Sequence, residues 1–183
     1  VRNCQFAGRN VTGQTLAVVR MIEINHATTQ DNKNITFDGC EFGAVYSTSS
    51  TIGYTFATDT GAFARRMSNI AIRNCKFYGQ AHGTTVGIYL QFGANYIQGL
   101  SIENNYFGAG IDCDGTVHAG GFYQCITVGE NFGTSITGGS TATTNYAKRQ
   151  GLKIKNNVME PRWVDAPSTT PFSVTSQILN VGP

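Results

Sequence analysis

Short apolar and polar positions alternate along much of the chain, and one eight-column form of that alternation recurs. It stands as ITFDGCEF at 35–42, IAIRNCKF at 70–77, LSIENNYF at 100–107 and LKIKNNVM at 152–159. The opening VRNCQF at 1–6 fits from the third column onward, and a looser copy, ITVGENF at 126–132, is one residue short at its end. Columns one, three, six and eight hold apolar residues, Cys or Asn, and columns two and four are polar. This is strand alternation broken at the Gly or Asn of column five, which turns the chain inward. Column six falls at 4, 40, 75, 105, 131 and 157, giving steps of 36, 35, 30, 26 and 26 residues.

Each step holds at least one further alternating stretch, such as 21–24, 52–56, 86–90 and 121–124. Two or three short strands per step, with no helical periodicity and no Asn-Gly hairpin, predict one coil of a solenoid per step. A hairpin-built sandwich would show turns every 8 to 12 residues without identical flanking motifs, and a leucine-rich repeat would show its own consensus. The expected fold is therefore all-β, a right-handed parallel β-helix with about six coils visible. It occupies residues 1–164, and 165–183, which carries three Pro and no motif copy, is expected as an extended segment or linker leaving the helix or lying along a neighbouring subunit. Because the chain opens inside a copy and without Met, a fragment of a longer polypeptide is expected.

Composition agrees. Of 183 residues, 22 are Gly, 22 Thr, 15 Asn and 10 Ser, weak helix formers that make up over a third of the chain. Apolar residues reach 40% and the net charge is +2, which argues against disorder. Thirteen basic against eleven acidic residues leave no basic footprint for nucleic acid, and no apolar run is long enough for a membrane helix. The five cysteines, Cys4, Cys40, Cys75, Cys113 and Cys125, lack zinc spacing. Three of them share column six with Asn105, Asn131 and Asn157, so an inward stack of thiols continued by an Asn ladder is expected, with strand geometry poorly suited to disulfides. Free thiols suit folding in a reducing cytoplasm. The outward columns predict cross-copy ion pairs at Asp38/Arg73/Glu103 and Glu41/Lys76, each worth about 0.2 to 1 kcal/mol.

Two groups carry candidate chemistry. Glu23 is expected on an outward column that continues as Thr55, Tyr89 and Tyr123, an acid beside tyrosines of the kind that binds sugars. The structural alternative is a solvated Glu beside half-buried tyrosines. Asp112, Asp114 and His118 fall within seven residues of a loop. They could supply an acid and a base, and an Asp-Gly turn explains them equally. No cofactor is called for, and Asp112 and Asp114 are the residues that would ligate a divalent cation. His26 and His82 are isolated, and Trp163 is expected to cover the end of the last coil.

The repeated Ile-x-Ile-x-Asn-Cys/Asn-x-Phe motif, as in 70–77 and 100–107, resembles the coils of the pectate-lyase-like superfamily of right-handed β-helices. The site motifs of its secreted pectate lyases and polygalacturonases are missing. Asp112 and Asp114 followed by His118 have the wrong spacing, and Lys153-Ile154-Lys155 is a distant echo. In its Gly/Thr/Ser/Asn-rich coils, unpaired cysteines and irregular coil lengths the chain is more similar to bacteriophage tailspike and tail-fibre proteins. That resemblance implies a homotrimer in the virion tail, folded in the host cytoplasm, touching other tail components and recognising or depolymerising a bacterial surface polysaccharide. On this reading Glu23, Asp112 and Asp114 are the catalytic candidates, and Tyr89, Tyr123 and His118 the substrate-binding ones. The alternatives are a secreted polysaccharide lyase or glycoside hydrolase and a non-catalytic adhesive β-helix.

Overall fold

A computed structural model describes residues 1–11, 18–24, 32–43, 45–47, 52–58, 67–79, 84–92, 97–118, 122, 124–130, 149–151, 153–160 and 177–181. Among them the regular structure is all strand, and no helix is long and apolar enough to cross a membrane. Three sheets are parallel throughout. The first joins the short strands β1 (Gln5–Phe6), β5 (Glu41–Phe42), β9 (Lys76–Tyr78), β12 (Tyr106–Gly108) and β18 (Val158–Met159). The second joins β3 (Val18–Ile24), β7 (Ile52–Thr58), β10 (Thr84–Phe92), β15 (Gln124–Glu130) and β19 (Gln177–Val181). The third joins β4 (Asn32–Asp38), β8 (Met67–Arg73) and β11 (Ile97–Glu103), with β16 (Arg149–Gln150) and β17 (Lys153–Lys155) both against β11. Each strand thus pairs with its equivalent one repeat away, an order compatible with a solenoid. A two-stranded parallel sheet, β2 (Arg9–Val11) with β6 (Val45–Ser47), and an antiparallel hairpin, β13 (Gly110–Ile111) with β14 (Val117–His118), complete the set.

The motif explains itself in backbone terms. Column five has positive φ in every described copy: Asn3 at 50°, Gly39 at 66°, Asn74 at 54°, Asn104 at 56° and Asn156 at 53°. Gly and Asn enter this left-handed region at least cost, which is why the column admits them. A second such column lies one residue before the motif, at Asn34, Asn69, Gly99 and Gly151, outside the eight columns that the alternation marks. It sits inside the third sheet, where Asn69 donates to Asn34 Oδ1 at 3.0 Å.

Column eight forms the core. Phe6, Phe42, Phe77 and Phe107 stack with centroids 4.9, 4.8 and 4.7 Å apart, the spacing of paired strands. Phe42, Phe77 and Phe107 are completely buried, each worth about 1.5–3 kcal/mol by area alone. Column six is buried beside it at Cys40, Cys75 and Asn105, whereas Cys4, in the first copy, is exposed. The Asn ladder forms as expected for its described members. Cys75 N–H donates to Asn105 Oδ1 at 2.9 Å, and Asn105 N–H and Nδ2 both donate to Asn157 Oδ1 at 3.0 Å. All five cysteines are free thiols. The expected ion pairs form between Arg73 and Asp38 at 3.2 Å and between Lys76 and Glu41 at 2.7 Å, while Glu103 pairs with Lys153 and Lys155 at 2.9 and 3.2 Å.

Two expectations about register are corrected. The loose copy at 126–132 is not a further copy of the motif, because β15 lies in the second sheet between β10 and β19, and β12 pairs directly with β18 across a step of 52 residues. Any strand alternates with the same period, so alternation alone could not assign the sheet. Asn131 itself lies outside the described residues. The column through Glu23 runs to Ala57, Tyr89 and Thr127, not through Thr55 and Tyr123. Thr55 level with Tyr89 would put Gly53 level with Gly87, but Gly53 pairs with Thr85, two residues away. Within 165–183, β19 adds to β15 in the chain's own second sheet.

Candidate functional site

The second sheet positions the first candidate group. On β3, Ile22 and Ile24 contribute to the main core, and the intervening Glu23 is exposed. Tyr54, Ala57 and Val86 form a buried cluster separate from that core, with Tyr89 packed against it. The Tyr54 and Tyr89 rings lie 4.5 Å apart between centroids. Arg20, level with Tyr54 in the β3–β7 register, donates through Nη1 to Glu23 Oε1 at 2.9 Å. Burial pushes the Tyr54 phenol above its ordinary value and that of Tyr89 up to about 12, with the Arg20 charge working weakly against both shifts. Arg20 and Tyr54 went unnoticed in the sequence. Aligning β3, β7 and β10 on Ile22, Phe56 and Ile88 would have found them.

The second group is built on the hairpin. Asp112 opens a turn closed by Gly115 N–H donating to its carbonyl at 3.0 Å, and Gly115 takes φ 87°. Asp112 Oδ1 accepts from the N–H of Asp114 and Thr116 at 3.2 and 3.0 Å. Its Oδ2 accepts the N–H of Gly8 at 2.7 Å and lies 2.7 Å from His118 Nε2. The His118 side chain is wholly buried, near-parallel to the Tyr78 ring at 6.4 Å, and its Nδ1 has no partner among the described residues. Carboxylate acceptance fixes the proton on Nε2. Burial would raise the Asp112 pKa, but hydrogen bonds from Asp114, His118, Gly8 and Thr116 outweigh it and hold the carboxyl well below the usual range.

The hairpin also crosses the repeats. Gly110 lies against the Tyr78 ring of the third copy, and Asp112 lies over Gly43 of the second and Gly8 of the first, where a Cβ on Gly43 would strike both Gly8 N and Asp112 Oδ2. Four extended residues from Gly108 to Asp112 cover about 14 Å, close to three strand spacings of about 4.8 Å. Small residues at Gly8 and Gly43 thus leave the hairpin its seat.

The sequence candidates therefore fall into separate places. Tyr89 shares a column with Glu23, and Asp112 and His118 are in contact. Asp114 is exposed at the hairpin turn and accepts Thr116 N–H at 3.1 Å. No hydrogen bond or ion pair joins Glu23 to Asp112 or Asp114 among the described residues, and Tyr123, His26, His82 and Trp163 lie outside them. Among the described residues no three His, Cys, Asp or Glu side chains are grouped to hold a metal ion. Both oxygens of Asp112 are already occupied by four donors, so acid-base work or cation binding there would first have to break the hairpin turn. Cys75 and Cys125 are pushed up to about 12 by burial, which leaves them protonated and inert as nucleophiles. Comparison with protein-family models, with curated proteins and with solved structures finds no match for this chain.

Proposed function

We propose that the three parallel sheets are the faces of a right-handed parallel β-helix, and that the chain belongs to a trimeric, tailspike-type protein of a bacteriophage virion that recognises a bacterial surface polysaccharide. The observation that carries this reading is the group Arg20, Glu23, Tyr54 and Tyr89 on the side of the second sheet away from the main core. Aromatic faces pack against the C–H faces of sugar rings, and neighbouring charged groups bind their hydroxyls. The reading is recognition. Cleavage by a carboxylate pair requires two carboxyl groups facing one space, about 5 to 9.5 Å apart, and Asp112 is committed to its hairpin. Tyr89 is the contact proposed for the ligand, with the Arg20–Glu23 pair beside it, and His118 supports the hairpin.

The test is the native mass of the protein, with and without heating in detergent, followed by binding to polysaccharides from a panel of bacterial hosts. A detergent-resistant trimer that binds one polysaccharide saturably, and loses that binding in Tyr89→Ala, supports the proposal. A monomer would send the search to secreted polysaccharide enzymes, and release of oligosaccharide product would replace recognition by turnover.

A further inference from the structure

The hairpin is built inside out. Side chains alternate across a two-stranded sheet, and the face that packs on the molecule is ordinarily the apolar one. Here Asp112 and His118 are buried against the repeats, and the cross-strand pair Ile111 and Val117 faces out, 60% and 62% exposed. The hairpin does not need that pair to stay in place. Asp112 holds the far end through Gly8, Asp114, Thr116 and His118, and at the base Glu160 Oε2 accepts from the Tyr106 hydroxyl at 3.0 Å and from Ala109 N–H at 3.4 Å. Two branched, stiff side chains are thus presented on a fixed ridge. Exposed carboxylates stand at both ends of it, Asp114 at the turn and Glu160 beside the base. An apolar centre within a charged rim is the make-up of a docking surface.

The third sheet offers the complement. Thr36, Ala71 and Ser101 lie level across its strands and alternate with the buried Phe37, Ile72 and Ile102, so they face out, and each is partly exposed. Their small side chains leave the middle of this face flat. Around them stand Arg2, Arg73, Lys153 and Lys155 against Asp38 and Glu103, which makes the face net positive. From this match of charge and shape we infer that the hairpin of one copy docks on the outer face of the third sheet of a second copy. The inference rests on the trimer proposed above and names the surfaces that meet in it. The two surfaces are different patches of one chain, so the contact runs head to tail, and contacts of that kind close into rings. A stable interface buries about 800 Å² per partner, so Ile111 and Val117 are its apolar centre and the charged rims fix its register.

The test uses the exposed thiol at the hairpin turn, Cys113, in a Cys4→Ser background that removes the other exposed thiol. A photoactivatable maleimide is attached to Cys113 and illuminated in the assembled protein. Chains joined to one another are separated by size after denaturation, and the joined peptides are read by mass spectrometry. Attachment is expected within 67–73, 97–103 or 153–155 of the second copy. Attachment to the second copy's own hairpin, to another surface, or only within one chain overturns the inference. Ile111→Ser combined with Val117→Ser is expected to speed dissociation of the oligomer in detergent by at least about tenfold, with an unchanged circular dichroism spectrum. An unchanged rate overturns the inference too, and if the double variant fails to fold the attachment sites still decide. A trimer joined through other surfaces sinks this inference alone. The expected attachment in an oligomer that is not a trimer, or in a trimer that binds no polysaccharide, sinks the preceding reading alone, and a monomer sinks both.

Discussion

Asn105 is where the ladder hypothesis is most exposed to test. Its side chain is 1% exposed and completes three hydrogen bonds: Oδ1 accepts Cys75 N–H at 2.9 Å, and Nδ2 donates to Ile72 O at 2.9 Å and to Asn157 Oδ1 at 3.0 Å. Asn105→Ala leaves the Cys75 N–H without its side-chain acceptor and the Ile72 carbonyl without its side-chain donor, in the middle of the sheet stack. Asn157 keeps Asn105 N–H, so its loss is partial. At about 1–3 kcal/mol for each buried group left unmade, the expected loss is about 2–6 kcal/mol. Against a typical domain stability of about 5–15 kcal/mol that is a large fraction. Urea unfolding followed by tryptophan fluorescence and circular dichroism reads it as a lower midpoint at unchanged slope. Asn105→Cys, which restores the residue found at positions 40 and 75, is expected to fall between the two. Its thiol can donate to the carbonyl two residues back, as Cys75 Sγ does to Arg73 O at 3.1 Å, but it offers Cys75 N–H no oxygen. A loss within about 0.5 kcal/mol for Asn105→Ala, the range of an ordinary surface change, would falsify the claim that the ladder bonds hold these sheets together.

The hairpin clamp gives a second set of outcomes. Asp112→Asn keeps the shape but can no longer accept from all four donors, and a loss of about 2–4 kcal/mol is expected. Because the Asp112 carboxyl is held below its ordinary value, its contribution to stability is present above the unfolded value of about 3.9 and is lost as pH falls toward the folded one. Urea midpoints measured on the acid side should therefore fall less steeply in Asp112→Asn than in the parent, and equal slopes would count against the clamp. Gly43→Ala places a methyl group against the backbone of Gly8 and the Asp112 carboxylate, neither a flexible chain end, and should cost about 1–3 kcal/mol. Native alkylation at mildly alkaline pH should label Cys4 and Cys113, the two exposed thiols, and the remaining three only after unfolding. Early labelling of Cys75 would contradict its burial.

Repetition decided what could be read without coordinates. A column recurs, so its physical demand is stated several times: Asn3, Gly39, Asn74, Asn104 and Asn156 all answer one left-handed backbone position, and Phe42, Phe77 and Phe107 all answer one strand spacing. The ladder of Asn105 and Asn157 was legible for the same reason. Register within the second sheet was not, because its glycines, Gly53 and Gly87, invite an alignment that hydrogen bonding places two residues away. Alternation at 126–132 belongs to a strand of that sheet and imitates the motif only because every strand has period two. The hairpin shows the limit most clearly. Asp112, Asp114 and His118 stand out in sequence as chemistry, but the groups that consume Asp112 include Gly8 N–H, 104 residues away, and nothing at Gly43 signals that its lack of a side chain makes room for a carboxylate. Arg20 is harder still: among the described residues its buried Nε meets no acceptor, and a missing partner leaves no mark in an amino-acid sequence. Asp112, by contrast, has both oxygens occupied and is explained by the fold that surrounds it.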